Sequence, residues 1–160
     1  MRIEKSVLLH APLERVWRAI SDADEFGRWF GVRFDGPFVA GTSIAAVITP
    51  TTVDDEVAKR QEPHAGVKST WHIVAVEPRR RFAYRWHPFA VDPDVDYERE
   101  PTTLVEFTLS EAPGGVLLTI TESGFEKIPE ERRPSSFEAN AEGWAMQATL
   151  VRRYLDGTRG

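Results

Sequence analysis

The sequence predicts an α+β domain in which an antiparallel sheet carries its helices on one face. Two runs rich in β-branched residues, at 102–109 and 116–122, flank a Pro-Gly-Gly turn at 113–115, which is a strong hairpin signal. Apolar residues then recur every three or four positions from Phe137 to Leu155, which indicates one long helix. Strand-like runs followed by a long helix are typical of α+β domains.

The first 30 residues predict one strand followed by two short helices. Alternation over residues 3–9 indicates a strand with one face toward the core. Pro12 suits the first turn of a helix, because an N–H there has no intrahelical partner to lose. The apolar face of that helix consists of Leu13, Val16, Trp17 and Ile20. A second helix, capped by Ser21 and Asp22, follows and carries Phe26, Trp29 and Phe30.

Four further strands and two long loops are predicted before the hairpin. The strands lie at 32–35, 42–49, 67–77 and 82–86. In the last strand Phe82, Tyr84 and Trp86 alternate with other residues, so the aromatic set faces inward. Residues 50–66 are polar and contain prolines, which favours an exposed loop. Residues 88–101 contain three prolines and five carboxylates, and loops of this length often serve as lids or binding loops.

The second strand of the predicted hairpin ends on a carboxylate. One face of the first strand consists of Thr103, Val105, Phe107 and Leu109, and one face of the second consists of Val116, Leu118, Ile120 and Glu122. Alternation therefore directs the Glu122 side chain inward. Ser135 and Glu138 stand at capping-box spacing at the start of the long helix, and Gly157 is expected to end it.

Length and composition indicate one globular domain over residues 1–160. The chain is 41% hydrophobic and 28% charged, and it is long enough to bury a core. A net charge of −5 argues against nucleic-acid binding, which needs a basic surface. The absence of cysteine excludes disulfides, thiolate catalysis and cysteine-ligated metals. We expect a cytoplasmic protein without membrane contact, because the sequence has neither a spanning apolar run nor a signal-peptide pattern.

Short motifs in a fixed order run through the whole chain. They are His10-Ala11-Pro12, Val16-Trp17, Arg28-Trp29-Phe30-Gly31, Glu77-Pro78, Arg81-Phe82, Trp86, the run from Thr103 to Leu109, Glu122-Ser123-Gly124-Phe125, Asn140, Gly143-Trp144, Leu150 and Tyr154-Leu155. In these motifs the chain resembles the START-like or SRPBCC superfamily, in the branch related to the activator of the heat-shock-protein-90 ATPase. The resemblance implies a helix-grip fold, in which a curved antiparallel sheet wraps around a long C-terminal helix and leaves a cavity between them. One fold hosts many functions, so no activity follows from it.

Glu122 is the sharpest candidate for a functional residue. An inward carboxylate at the wall of an apolar cavity suits ligand anchoring or general acid–base chemistry. The alternatives are a cap on the long helix or a pair with an arginine at the rim. The candidate cavity lining is aromatic and consists of Trp29, Phe30, Trp71, Phe82, Tyr84, Trp86, Phe107 and Trp144. Core packing accounts for the same residues, and we expect about half of them in each role.

The sequence predicts neither a metal site nor a cofactor. His72 and His87 lie on adjacent predicted strands, but no paired-ligand spacing accompanies them. Asp92, Asp94 and Asp96 alternate without the glycine and terminal glutamate of a calcium-binding loop. Glycine-rich cofactor fingerprints and the Gly-x-Ser-x-Gly motif are also missing from the sequence.

Three functions remain open at this point. The first is binding of a hydrophobic small molecule between the sheet and the C-terminal helix, with residues 88–101 as a lid. The second is an enzyme of the cyclase or hydrolase type that uses Glu122 as general acid or base. With one candidate catalytic group, the sequence favours binding over catalysis. The third, implied by the resemblance, is a co-chaperone-like module that binds a chaperone partner. The sequence specifies neither the ligand nor the oligomeric state.

Overall fold

The computed structural model describes residues 1–88, 90 and 94–157. Its strands are β1 (Arg2–Leu9), β2 (Val32–Phe34), β3 (Ser43–Ile48), β4 (Lys68–Glu77), β5 (Arg81–Trp86), β6 (Thr103–Ala112) and β7 (Gly115–Ser123). Its α-helices are α1 (Leu13–Ser21), α2 (Ala23–Phe30), α3 (Asp55–Gln61) and α4 (Arg133–Gly157). Short 3₁₀ turns lie at Glu62–His64, Tyr97–Arg99 and Phe125–Lys127. The predicted α+β class and helix-grip fold are confirmed.

All seven strands form one antiparallel sheet in the order β1-β7-β6-β5-β4-β3-β2. The predicted hairpin is the β6–β7 pair, which runs in register from Leu104 opposite Ser123 to Ala112 opposite Gly115. At Gly115 a Cβ atom would lie 2.1 Å from the carbonyl oxygen of Leu9. The hairpin turn therefore passes the end of β1 too closely for any side chain.

Aromatic side chains fill most of the space between the sheet and the helices. Phe26 of α2 lies among them, with the ring centroids of Trp71, Phe82 and Phe107 between 5.6 and 5.9 Å away. The inward faces of β6 and β7 are buried at every position that alternation predicted. Tilted and edge-to-face contacts of this kind stabilise a core beyond the area that they bury.

The long helix α4 packs against β1 and α2. Asp22 caps α2 by accepting a hydrogen bond from the backbone N–H of Glu25, as predicted for this position, whereas Ser21 ends α1 and donates to Trp17. Gly31 ends α2 in the left-handed conformation, with φ of 101°. These two boundaries turn the chain so that Phe30 faces α4, where its ring lies 5.9 Å from that of Trp144.

Two predicted elements differ in the structure. Within the predicted loop 50–66, residues 55–61 form α3, because the Asp54 side chain accepts from the N–H groups of Glu56 and Val57 and the Val57 side chain is buried. The predicted capping box is wrong. Helix α4 begins at Arg133, so Ser135 lies inside it and donates to the Arg132 carbonyl.

The predicted lid at 88–101 is described only in part. Phe89 and residues 91–93, which include Asp92, lie outside the described residues, and Tyr97–Arg99 forms a 3₁₀ turn. Within the ranges that the structure describes, none of the helices is long and apolar enough to cross a membrane.

Candidate functional site

Glu122 lies on β7 and is completely buried. In the sheet register it stands opposite Ile3 of β1 on one side and Val105 of β6 on the other. The alternation of β7 therefore places a carboxylate in the middle of an apolar row, as the sequence predicted. A buried carboxylate is costly unless its oxygens are hydrogen-bonded.

Four neutral groups donate hydrogen bonds to the Glu122 carboxylate. Oε2 accepts from Nε1 of Trp86 at 2.7 Å and from Oγ1 of Thr103 at 2.6 Å. Oε1 accepts from Nδ2 of Asn140 at 2.8 Å and from Nε1 of Trp144 at 2.8 Å. These donors match the lone pairs of an ionised carboxylate. The contacts join β5, β6 and β7 to the middle of α4.

The structure thus differs from both alternatives considered for Glu122. Its partners are side chains rather than the backbone N–H groups of a helix end, and among the described residues it forms no salt bridge with an arginine. A carboxylate that accepts two hydrogen bonds on each oxygen is fixed in place. It fixes in turn the ring orientation of Trp86 and Trp144.

Tyr84 lies in the same sheet row as Glu122, with Val105 between them. Its side chain is completely buried, and its hydroxyl has no hydrogen-bond partner within the described part of the chain. Burial, and secondly the negative charge of Glu122, raise the pKa of Tyr84 well above its ordinary value of 10.0. The phenol is therefore neutral at physiological pH.

A small pocket opens beside this carboxylate, between the sheet and α4. Its volume is about 80 Å³, and it is lined by Phe30, Trp86, Asn140, Gly143, Trp144 and Gln147. The Trp86 and Trp144 rings lie 5.7 Å apart at an interplanar angle of 34°. Each ring also lies about 6 Å from Phe30, at 6.2 Å for Trp86 and 5.9 Å for Trp144. The apolar walls are therefore three aromatic rings.

Gly143 supplies the room on the helix side of the pocket. A Cβ atom built on Gly143 would have no heavy atom within 4 Å beyond its own helix and chain neighbours. The residue lies inside α4 with ordinary helical backbone, so neither a turn nor a close backbone approach requires glycine there. Other glycines of the chain also have empty space beside them, but Gly143 is the one that lines this pocket.

Gln147 closes the pocket one turn further along α4 and is 93% buried, since 7% of its surface is exposed. Its Nε2 donates to the carbonyl oxygen of Phe30 at 3.0 Å. Its Oε1 has no hydrogen-bond partner in the part of the chain that the structure describes. The Phe30 carbonyl also accepts from Nε2 of Gln61 at 2.9 Å. Two glutamines thus hold the end of α2 at the pocket.

Of the eight aromatic candidates, the structure brings Phe30, Trp86 and Trp144 to the pocket. Trp29, Trp71, Phe82, Tyr84 and Phe107 are at most 1% exposed and contact one another or neighbouring rings in the core. Trp29 also donates its indole N–H to the Ala19 carbonyl at 2.9 Å, which ties α2 to α1. Core packing accounts for these five positions.

The segment before β6 is tied to the start of α4. The Arg132 guanidinium donates to both oxygens of Glu100 and lies 4.9 Å from the centre of the Tyr97 ring. His87, one residue after Trp86, shares a hydrogen bond with the Glu100 carbonyl at 3.1 Å. These contacts hold residues 97–100 beside the strand end that carries Trp86.

His72 and His87, the two histidines considered as metal ligands, each contact another group of the protein. His72 shares a 2.6 Å hydrogen bond with Ser43, while His87 contacts the Glu100 backbone. Over residues 1–88, 90 and 94–157, no group of three or more His, Asp or Glu side chains is arranged to hold a metal ion.

Sequence reasoning did not identify Thr103, Asn140 and Gln147 as parts of this site. Thr103 was assigned to an inward strand face, where a hydroxyl among apolar residues is itself a signal of a buried polar partner. Asn140 and Gln147 lie seven residues apart, on the same face of α4 as Trp144. Polar residues within an apolar helical stripe were the available signal.

Comparisons with known proteins agree with this architecture. A family model described as activator of Hsp90 ATPase homolog 1-like protein matches residues 10–156. Among curated proteins, none matches this sequence. A solved structure from Mesorhizobium loti is 22% identical, with a TM-score of 0.71 and 100% of both chains covered.

Two further solved structures are similar at lower identity. A protein from Arthrobacter aurescens is 15% identical with a TM-score of 0.72, over 99% of this chain and 88% of that one. The Aha1 dimer from Colwellia psychrerythraea is 13% identical with a TM-score of 0.68, over 100% of this chain and 99% of that one. Identities this low establish the shared fold but no activity. Because the family model covers most of the chain, the protein belongs to the family of activator of Hsp90 ATPase homolog 1-like proteins.

Proposed function

We propose that the protein binds a small, neutral, hydrophobic molecule in the pocket formed by Phe30, Trp86 and Trp144. The observation that carries this proposal is the meeting of three aromatic rings around an open volume between the sheet and α4. Ligand pockets are mostly apolar and contain a few placed polar groups. Here the polar groups are Asn140 and Gln147.

Gly143 supports the proposal because glycine inside a helix destabilises it by about 1 kcal/mol relative to alanine. Since the neighbouring space would accept a larger side chain, packing does not require this glycine. A pocket that must stay open for a ligand gives a reason for the residue. Alanine or leucine at this position would occupy the ligand's space.

The size and charge of the pocket limit what enters it. A volume of about 80 Å³ is smaller than the ~300–1,000 Å³ typical of pockets that enclose a whole drug-sized ligand. The pocket therefore takes one small group, on the scale of a single ring or a short branched chain. The lining residues carry no charge, so the inserted group is neutral.

Within this proposal Glu122 is a positioning residue for the pocket wall. A general acid or base must reach the proton that it transfers, directly or through one water. The Glu122 oxygens are completely buried and already accept two hydrogen bonds each, from Trp86 and Thr103 and from Asn140 and Trp144. These contacts favour ligand binding over the cyclase or hydrolase alternative.

A co-chaperone-like role is the second candidate, and the family membership favours it. A partner surface usually presents a contiguous apolar patch. Among the described residues, the large hydrophobic side chains that are exposed are Met1, Val39 and Val74. Pull-down with purified Hsp90 tests this role directly, and a stable complex that survives pocket-blocking substitutions would favour it over ligand binding.

The binding proposal is tested by NMR titration with toluene as an apolar probe. The protein has five tryptophans, so a ¹H–¹⁵N spectrum resolves each indole N–H once single Trp→Phe variants assign the signals. Toluene is expected to shift the Trp86 and Trp144 signals in a saturable way and to leave those of Trp29 and Trp71 in place. In Gly143→Leu, these shifts should disappear.

Ala145→Leu is the matched control, because it places the same leucine side chain at an exposed position on α4. This variant should bind toluene like the wild type. Saturable binding that persists in Gly143→Leu, or shifts that are absent from both wild-type signals, would contradict the proposed site.

A further inference from the structure

Gln147 carries a buried acceptor at the pocket that no protein group satisfies within the described residues. Leaving a buried amide oxygen unpaired destabilises a fold, and for this reason most such atoms have a partner. The atom belongs to a residue that is 7% exposed and lines the pocket. The pocket is the open space next to this residue, so a group bound there is the candidate for the missing partner.

The orientation of the Gln147 amide is fixed by its second contact. Nε2 donates to the Phe30 carbonyl at 3.0 Å. A rotated amide would place Oε1 against that carbonyl oxygen and would bring two acceptors together. Oε1 is therefore the atom that remains without a partner.

The indole N–H groups of the pocket wall are already used. Trp86 and Trp144 each have one N–H, and both donate to Glu122. The two rings consequently offer a ligand their apolar faces and edges. A ligand acceptor therefore finds no free indole N–H at this site, whereas Gln147 of the pocket lining has an acceptor, Oε1, without a partner among the described residues.

We propose that the bound molecule is a neutral ring compound with a hydroxyl or N–H group that donates to Oε1 of Gln147. This inference rests on the proposed function, since it names the ligand class for the same pocket. Phenols and N–H heterocycles have this chemistry. Their ring packs among Phe30, Trp86 and Trp144, and their donor satisfies the glutamine.

Phenol and toluene provide the test, because they have the same shape and differ in one group. A purely apolar pocket binds toluene more tightly, since a methyl group leaves water more readily than a hydroxyl group. A pocket with an unpaired acceptor binds phenol more tightly. Dissociation constants of the wild type for both probes, from the Trp86 and Trp144 indole signals, are expected to favour phenol.

Gln147→Met should lower the preference for phenol over toluene by about tenfold, because it removes the acceptor and keeps the side-chain length. The Phe30 carbonyl is not orphaned in this variant, since Gln61 still donates to it at 2.9 Å. Gln61→Met is the control. It removes the equivalent bond to Phe30, together with the bond that Gln61 accepts from the Thr51 N–H at 2.8 Å, and leaves the Gln147 acceptor in place. Its preference for phenol over toluene should match that of the wild type.

The possible outcomes separate the inference from the function on which it rests. Toluene binding more tightly than phenol in the wild type would overturn the inference and leave the pocket proposal standing. The same holds for an unchanged preference in Gln147→Met. Failure of both probes to bind would overturn both proposals. If Gln147→Met does not fold, the wild-type comparison decides by itself.

Discussion

Trp86 and Trp144 reach the same carboxylate from opposite sides of the fold. Trp86 extends from strand β5 and donates to Oε2 of Glu122, and Trp144 extends from helix α4 and donates to Oε1. Their rings lie 5.7 Å apart and form two walls of the pocket. One buried glutamate therefore holds the sheet, the helix and the pocket in a fixed relation.

Glu122→Gln is expected to destabilise the protein by about 2–4 kcal/mol. In this variant an NH₂ group replaces one carboxylate oxygen. Because an NH₂ group cannot accept the two hydrogen bonds that this oxygen accepts in the wild type, at least one buried hydrogen bond is lost. The free energy of unfolding from urea denaturation measures this effect. Glu126→Gln changes an exposed glutamate nearby and should change stability by less than about 0.5 kcal/mol. Equal values for the two variants would show that the network does not stabilise the fold.

Gly143→Ala is expected to stabilise the protein by about 0.5–1 kcal/mol. Alanine favours the helix, and its Cβ meets no neighbouring atom. Thermal unfolding of the ligand-free wild type and of the ligand-free variant measures this change in stability. At the same time, affinity for the toluene probe should fall. A decrease in thermal stability would show that the space beside Gly143 is not open.

Tyr84→Phe is expected to leave stability unchanged or to raise it by about 1 kcal/mol. The hydroxyl is buried without a partner among the described residues, so its removal eliminates a desolvation penalty without breaking a hydrogen bond. Equilibrium denaturation of the wild type and of Tyr84→Phe gives the two free energies of unfolding to be compared. A loss of more than about 1 kcal/mol would reveal a partner such as a buried water.

The contacts of the Glu25 carboxylate predict that the stability of the protein depends on pH. Its carboxylate joins three helices, since it accepts from Arg15 at 2.8 Å, Arg18 at 2.8 Å and Tyr154 at 2.7 Å. Burial acts to raise the pKa of Glu25, but the hydrogen bonds from Tyr154 and Arg15 and the charges of both arginines outweigh it, and the pKa lies below its ordinary value of 4.5. The folded state therefore gains stability above pH 4.5 and loses it as pH falls through the lowered pKa.

Glu25→Gln should accordingly be less stable than the wild type near pH 7, by about 1–2 kcal/mol. The difference between the two proteins should shrink as the pH falls below the ordinary glutamate value of 4.5. Urea denaturation over a pH series measures both quantities. Glu138→Gln, at an exposed position of α4, serves as the control. A difference that stays constant with pH would contradict the lowered pKa.

Local patterns predicted most of the fold. Period-two alternation placed the inward faces of β6 and β7, including Glu122, because register fixes which side chains a strand buries. The helical repeat placed Trp144 inward on α4 in the same way. Helix α3 was missed because its seven residues bury one apolar side chain, Val57, so no periodic signal existed.

The site could be predicted only in part. Alternation indicates that Glu122 faces inward, but its partners come from β5, β6 and α4, which are distant in sequence. The sequence also does not specify which aromatic residues pack and which border a void. Trp71 and Trp86 both lie on inward strand faces, yet Trp71 is 1% exposed within the core and Trp86 lines the pocket. Which of the two tryptophans borders the pocket depends on the space that Gly143 leaves beside α4.

The most direct test of ligand binding in this pocket is native mass spectrometry after incubation with a metabolite extract of the source organism. A reproducible added mass is expected on the wild type and on Ala145→Leu, and none is expected on Gly143→Leu. The mass would also identify the ligand, which should contain a ring with a hydroxyl or N–H group. An added mass that persists on Gly143→Leu, or its absence from all three proteins, would contradict the assignment of this pocket as the binding site.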